Sequence, residues 1–182
     1  MEASNPLKSK IQSESPYIHE PEVLPPLSHD SITPKDIADK YTFTRLIGEG
    51  SQGQVYEAIR NEDKKQVAIK VLNINSIQNW KAYDLFWREV DVLKSLDICG
   101  VAEFYEAIEE LNPSEPHAYL VQQYIHGKTL SDMIHSGYRF SVQDIFKFAI
   151  QLIDILDKLH QHEPPIVHRD LKPSNIILEP SG

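Results

Sequence analysis

The chain has a single cysteine, Cys99, in 182 residues. An internal disulfide is therefore excluded, and the cysteine usage fits a reducing compartment. Basic residues are in deficit: 18 Lys and Arg face 27 Asp and Glu, a formal net charge of −9. A nucleic-acid surface needs a basic face, so this balance argues against one. A nucleotide held by a few local cations and a metal remains open. No apolar run approaches the ~20 residues needed to cross a bilayer. The first residues, Met-Glu-Ala-Ser-Asn-Pro, lack the basic and apolar regions of a secretory signal. A cytoplasmic protein without a membrane segment is the expectation. What is present is ordinary for a soluble domain plus a tail: 41% hydrophobic and 25% charged residues.

Half of the twelve prolines lie before residue 41, in a stretch rich in Ser and charge with no apolar period. Such a segment buries too little to offset the entropy of ordering it, so 1–40 is expected to be a disordered leader. Order is expected from Tyr41. Residues 41–47, 54–60 and 66–72 read as strands, the last with β-branched Val67, Ile69 and Val71. A helix over 76–96 follows, then strands over 104–109 and 118–124. Ser141 and Asp144 make a capping pair for a second long helix, with an apolar stripe of Ile145, Ala149, Leu152, Leu156 and Leu159. Pro164-Pro165 end it. The fold class is α+β, a β-rich part followed by an α-rich part.

Three patterns carry chemistry. Gly48, Gly50 and Gly53 form G-x-G-x-x-G with Val55 two positions on. Glycines let backbone N–H groups approach phosphate oxygens with no Cβ in the way. Dinucleotide-binding folds carry a similar pattern, but there the loop leads into a helix. Here it leads into a strand, which points to a hairpin lid. Next, Lys70 stands among β-branched neighbours, where a lysine is costly unless paired. On the helical wheel Glu89 falls among Ala82, Leu85, Phe86, Leu93 and Leu96, and a carboxylate in an apolar stripe needs a cation. Lys70 and Glu89 are the predicted ion pair. Finally, His168-Arg169-Asp170-Leu171-Lys172-Pro173-Ser174-Asn175 places a general base, a cation and a metal ligand on one turn.

Taken together, the glycine loop, Val67-Ala68-Ile69-Lys70, Glu89 and the turn at Asp170 resemble the eukaryotic-type protein kinase family, Ser/Thr type, over about Tyr41 to Leu178. The resemblance implies an antiparallel five-stranded N-lobe with one helix, then the beginning of a mainly helical C-lobe. It makes 41–182 a protein kinase domain incomplete at its C-terminus. It implies ATP and Mg2+ as cofactors and a protein as phosphate acceptor. Gly48, Gly50 and Gly53 would cover the phosphates, with Lys70 holding them. Ile47, Val55 and Ala68 would roof the adenine and Ile177 would floor it. Behind Gln122 at the gatekeeper position, Gln123 and Ile125 would bond the adenine edge through their backbone. Asp170 would accept the hydroxyl proton, Lys172 would lie near the γ-phosphate, and Asn175 would bind magnesium. His168 would pack inside, against Leu93 and Phe104.

Several features depart from the family pattern. Gln52 is a polar loop tip and Gln122 an unusual gatekeeper. The Asp-Phe-Gly strand and the substrate-binding helices are absent from the sequence. On that basis strand 176–178 is expected to lack its hairpin partner, and the apolar face of helix 141–162 to be uncovered. The chain alone is expected to be a weak or inactive kinase and prone to aggregate. Trp80, Tyr83 and Trp87 lie opposite Glu89 on the wheel, a face expected to be covered by the Pro-rich leader or a C-terminal segment, or else to serve as a docking patch for a partner. A non-catalytic nucleotide-binding or interaction module, pseudokinase-like, is the alternative reading, and a small-molecule kinase a third.

Overall fold

The β-branched and aromatic runs of the first half form one antiparallel sheet. In the computed structural model, which describes residues 35–50, 53–76 and 81–180, its strands are β1 (Tyr41–Gly50), β2 (Gly53–Arg60), β3 (Gln66–Asn73), β4 (Phe104–Glu110) and β5 (His117–Gln123), in the order β1-β2-β3-β5-β4. Residues directly opposite across a ladder share a face. Ile69 stands between Tyr56 and Val121, and Lys70 between Val55 and Leu120. One face is therefore Tyr56, Ala58, Val67, Ile69, Val71 and Tyr119, all buried. The other carries Val55, Ala68, Lys70, Leu72 and Leu120. Burying an Ile or Val side chain contributes about 1.5–3 kcal/mol, so the first face is the main cohesive element.

That first face is closed by α1 (Lys35–Lys40), with Ile37 fully buried in the same apolar cluster. The Ile37 N–H donates to the buried carboxylate of Glu110 at 2.9 Å. Asn61 Nδ2 donates to the carbonyls of Ala38 and Asp39, and Lys40 pairs with Glu106 at 2.9 Å. A packed helix is thus present in the six residues ahead of the expected boundary at Tyr41. A single apolar residue between charges gives no periodic signal, so the sequence hides this helix. Residues 1–34 of the expected leader lie outside the described residues.

The second face is covered on one side by α2 (Lys81–Lys94), through Phe86 and Val90 against Leu72, Ala118 and Leu120. The expected wheel is rotated. Leu85 is 43% exposed, fully buried Val90 is at the centre, and Glu89 lies at the margin. The helix is apolar on more than one side, and the fit of Trp87 onto the cluster decides which side docks. Trp87 packs edge-on against Phe86 with ring centroids 5.6 Å apart. It is half-buried against this cluster rather than fully exposed on an outer face; Trp80 lies outside the described residues.

The second half starts with β6 (Lys128–Thr129), α3 (Leu130–His135) and α4 (Val142–Gln161), and ends with a 3-10 turn (Pro173–Asn175) and β7 (Ile177–Leu178). The capping box forms as expected: Ser141 Oγ accepts from Asp144 N–H at 3.1 Å, and Asp144 returns the bond at 3.2 Å. Thr129 caps α3 through its side chain alone, Oγ1 accepting from the Asp132 N–H at 3.0 Å. The expected strand near 176–178 forms as β7 and pairs antiparallel with β6, a neighbour from far upstream that the sequence reading did not foresee. Two residues are too few to reveal β6 from a pattern. On α4 only Leu159 is buried, while Val142, Phe146, Ile150 and Ile153 are exposed. The expected stripe is exposed only at Ile145, with Ala149, Leu152 and Leu156 half-buried and Leu159 buried, so the uncovered apolar side is the adjacent one of Val142, Phe146, Ile150 and Ile153.

Candidate active site

The glycine pattern folds as a β-hairpin, with Gly48 opposite Val55 and Gly50 opposite Gly53. A hairpin excludes the strand-to-helix turn of dinucleotide-binding folds. The tip, Ser51 and Gln52, lies outside the described residues. Gly53 is required by the fold: its φ is +116°, and a Cβ would come within 2.2 Å of the Val71 carbonyl oxygen. Gly50 is different. A Cβ there meets nothing within 4 Å, and one at Gly48 makes only ordinary contact with Val55 at 3.7 Å. Packing among the described residues does not need these two glycines.

On the open part of the same sheet face, Lys70 Nζ meets Glu89 Oε2 at 2.6 Å, the predicted ion pair. Lys70 is 13% exposed and Glu89 39%. The pair joins β3 to α2 and fixes the ammonium at the edge of the apolar cluster. Val55 and buried Ala68 line the face beside it. Ile47 is 39% exposed and Ile177 41%, so both keep apolar surface available to a flat ring. The connecting segment after β5 differs from expectation in one detail. The Gln123 N–H already donates to the Glu103 carbonyl at 2.8 Å. Gln123 thus has no N–H to offer a base, whereas Ile125 makes no backbone hydrogen bond among the described residues. Gly127 follows, and a Cβ there would come within 2.4 Å of the Leu178 carbonyl oxygen. Sequence reading missed this glycine, whose signal was its place just past the connecting segment.

The turn before β7 is built from its own side chains. Asp170 Oδ2 accepts from Lys172 Nζ at 2.9 Å and from Asn175 Nδ2 at 3.0 Å. Asn175 Nδ2 also donates to the Asp170 carbonyl at 2.9 Å. Arg169 takes φ +60°, a left-handed conformation uncommon for a non-glycine residue, and this turns Asp170 back toward Asn175. The Lys172 ammonium, then the Asn175 amide, hold the Asp170 carboxyl below its ordinary range. Oδ1 of Asp170 and Oδ1 of Asn175 carry no hydrogen bond among the described residues. The Asn175 oxygen is a hard donor of the kind magnesium takes beside water and phosphate, and the Asp170 oxygen is left open to a proton donor. No group of three or more His, Cys, Asp or Glu residues able to hold a metal occurs among the described residues. His168 is exposed, which corrects its expected core position. Phe104, its expected neighbour, packs into the α2 cluster under Lys94 Nζ.

The structure thus collects the expected residues into two sets. Gly48, Gly50, Gly53, Val55, Ala68, Lys70 and Glu89 belong to the five-stranded sheet and α2. Asp170, Lys172, Asn175 and Ile177 belong to the β6–β7 region, and residues 124–127 connect the two. A sequence model of the family described as "Protein kinase domain" matches residues 41–182. The chain belongs to the protein kinase family. This kinase domain is 28% identical over 149 residues to a probable serine/threonine-protein kinase of Streptomyces coelicolor, covering 82% of this chain and 22% of that protein. It is 34% identical over 143 residues to CBL-interacting serine/threonine-protein kinase 8 of Arabidopsis thaliana, covering 79% and 31%. A probable serine/threonine-protein kinase of Dictyostelium discoideum is 30% identical over 182 residues, covering 96% and 37%. The chain spans between about a fifth and two fifths of the length of these relatives. By family it is a Ser/Thr-type protein kinase domain. None of the described helices is long and apolar enough to cross a membrane.

Proposed function

We propose that the chain carries the ATP site and phosphoryl-transfer turn of a cytoplasmic Ser/Thr protein kinase. The observation that supports this most is the Asp170–Lys172–Asn175 cluster: a carboxylate kept ionised, with one oxygen unpaired, on an exposed turn. In this reading the adenine lies between Ile47, Val55 and Ala68 on one side and Ile177 on the other. Its edge bonds the Gln123 carbonyl and the Ile125 N–H. Gly48, Gly50 and Gly53 bring backbone N–H groups over the phosphates, and Lys70, held by Glu89, pairs with them. A Ser or Thr hydroxyl of a protein attacks the γ-phosphorus, the bond to the β–γ bridging oxygen breaks, and ADP leaves. Asp170 Oδ1 orients that hydroxyl and takes its proton. The lowered basicity of Asp170 makes positioning its larger contribution. Lys172 faces charge developing on the transferred group. Asn175 Oδ1 would hold magnesium, which when bound neutralises phosphate charge.

A second reading is favoured by the engagement of the Asp170 carboxylate with Lys172 and Asn175, which lowers its basicity. It is a nucleotide-binding module without efficient transfer. Incubating the 182-residue chain with γ-labelled ATP, excess magnesium and a casein-type acceptor separates the two. Slow labelling of Ser or Thr that disappears in Asp170→Asn supports transfer. Nucleotide binding with no label above the Asp170→Asn background supports the second reading.

A further inference from the structure

The register of β1 against β2 breaks between Phe43 and Arg45. Phe43 stands opposite Ala58 on the buried face, but Arg45 stands opposite Glu57. Glu57 in turn stands opposite Ala68, whose other neighbour is Gln122. The extra residue at this bulge, Thr44, therefore turns Arg45 onto the sheet face that bears Val55 and Ala68. There the Arg45 guanidinium spans one oxygen of Glu57, with Nε at 3.2 Å and Nη2 at 2.7 Å. The second Glu57 oxygen accepts from Gln66 at 3.1 Å, so the carboxylate is held on both sides. Arg45 Nη2 also donates to the Tyr124 hydroxyl at 3.3 Å. Tyr124 lies between Gln123 and Ile125, and its ring meets the His126 ring edge-on at 5.0 Å. β1 is thus tied by side chains to the segment whose free backbone groups face the adenine in the proposed function.

We propose that Arg45, fixed by Glu57, is a positioning residue that holds Tyr124 and so aligns the Gln123 carbonyl and Ile125 N–H for a nucleobase. The clamp touches neither phosphate nor the transferred group. Its effect belongs to the base alone, and it couples the glycine hairpin to the connecting segment through β1. The inference rests on the proposed ATP site and deepens it, since it says which residues outside the pocket determine base affinity.

The test is calorimetric titration of the full chain and of Tyr124→Phe, Arg45→Gln and the double variant, with adenosine, ADP and inorganic triphosphate as separate probes. Loss of one positioning hydrogen bond should weaken adenosine and ADP about three- to tenfold and leave triphosphate unchanged. The two single substitutions should not add, because both break the same contact. Equal weakening of all three probes indicates general loosening and overturns the proposal. So does unchanged adenosine affinity in Tyr124→Phe when the unaltered chain binds it. If the unaltered chain binds none of the probes, the ATP site itself fails. Hydrogen exchange at the Ile125 amide then reads the clamp independently. Faster exchange in Tyr124→Phe, at an unchanged melting temperature, shows that it orders this backbone; an unchanged rate shows that it does not.

Discussion

Among the described residues, fifteen of the sixteen buried apolar side chains lie between Ile37 and Val121, and one, Leu159, lies beyond. Exposed large apolar residues show the reverse, with ten of fifteen past residue 130. The first half is specified by side chains meeting across layers. The second is specified mainly by local signals: a capping box, a capped short helix, and a turn closed by its own carboxylate. Function divides along the same line. Lys70 is oriented by tertiary packing, through Glu89 on a docked helix, whereas Asp170 is oriented by residues within five positions of it.

The largest expected effect tests that division directly. Ile69→Ala, at a fully buried site, should cost about 2–5 kcal/mol in urea unfolding, whereas Phe146→Ala on α4 should stay within about 0.5. Equal costs would break the comparison. Phe146→Ser should instead raise solubility, read by light scattering. Next, Ile37→Ala should remove about 2 kcal/mol by undocking α1, which makes the functional fold start before the family match at Tyr41. No change in the unfolding midpoint would count against α1 as part of the core. Ser141→Ala should cost about 1 kcal/mol, confined to α4 and seen as faster amide exchange there but not in the sheet.

The smallest effect is on proton binding at Asp170. Its folded-state carboxyl is depressed by Lys172 and Asn175, so the associated stabilisation is present above the ordinary carboxylate range and lost as pH falls through the depressed value. Lys172→Met should move that titration upward, observed by carboxyl-carbon NMR. An unmoved titration would mean that Lys172 is not its main partner. Because the group is exposed, global stability should barely change.

What the sequence made legible follows from the same physics. Strands with sustained β-branched content, the Ser141 cap and the lysine that needed a carboxylate were all readable, because each is a local or pairwise necessity. The docked side of α2 was not, since Leu85 and Trp87 are both apolar and only the partner surface chooses between them. Nor were α1, the two-residue strand β6, or the bulge at Thr44, none of which leaves a periodic trace. His168 was misplaced because its expected burial was carried over from the family resemblance, while in this chain nothing among the described residues covers it.

The most direct test of the central claim, that these residues form an ATP site, is a calorimetric titration of the 182-residue chain with Mg–ATP beside Lys70→Met. The account predicts saturable one-to-one binding, weakened about tenfold or more in Lys70→Met at an unchanged melting temperature. Identical affinity in both proteins, or no binding by the unaltered chain, would contradict it.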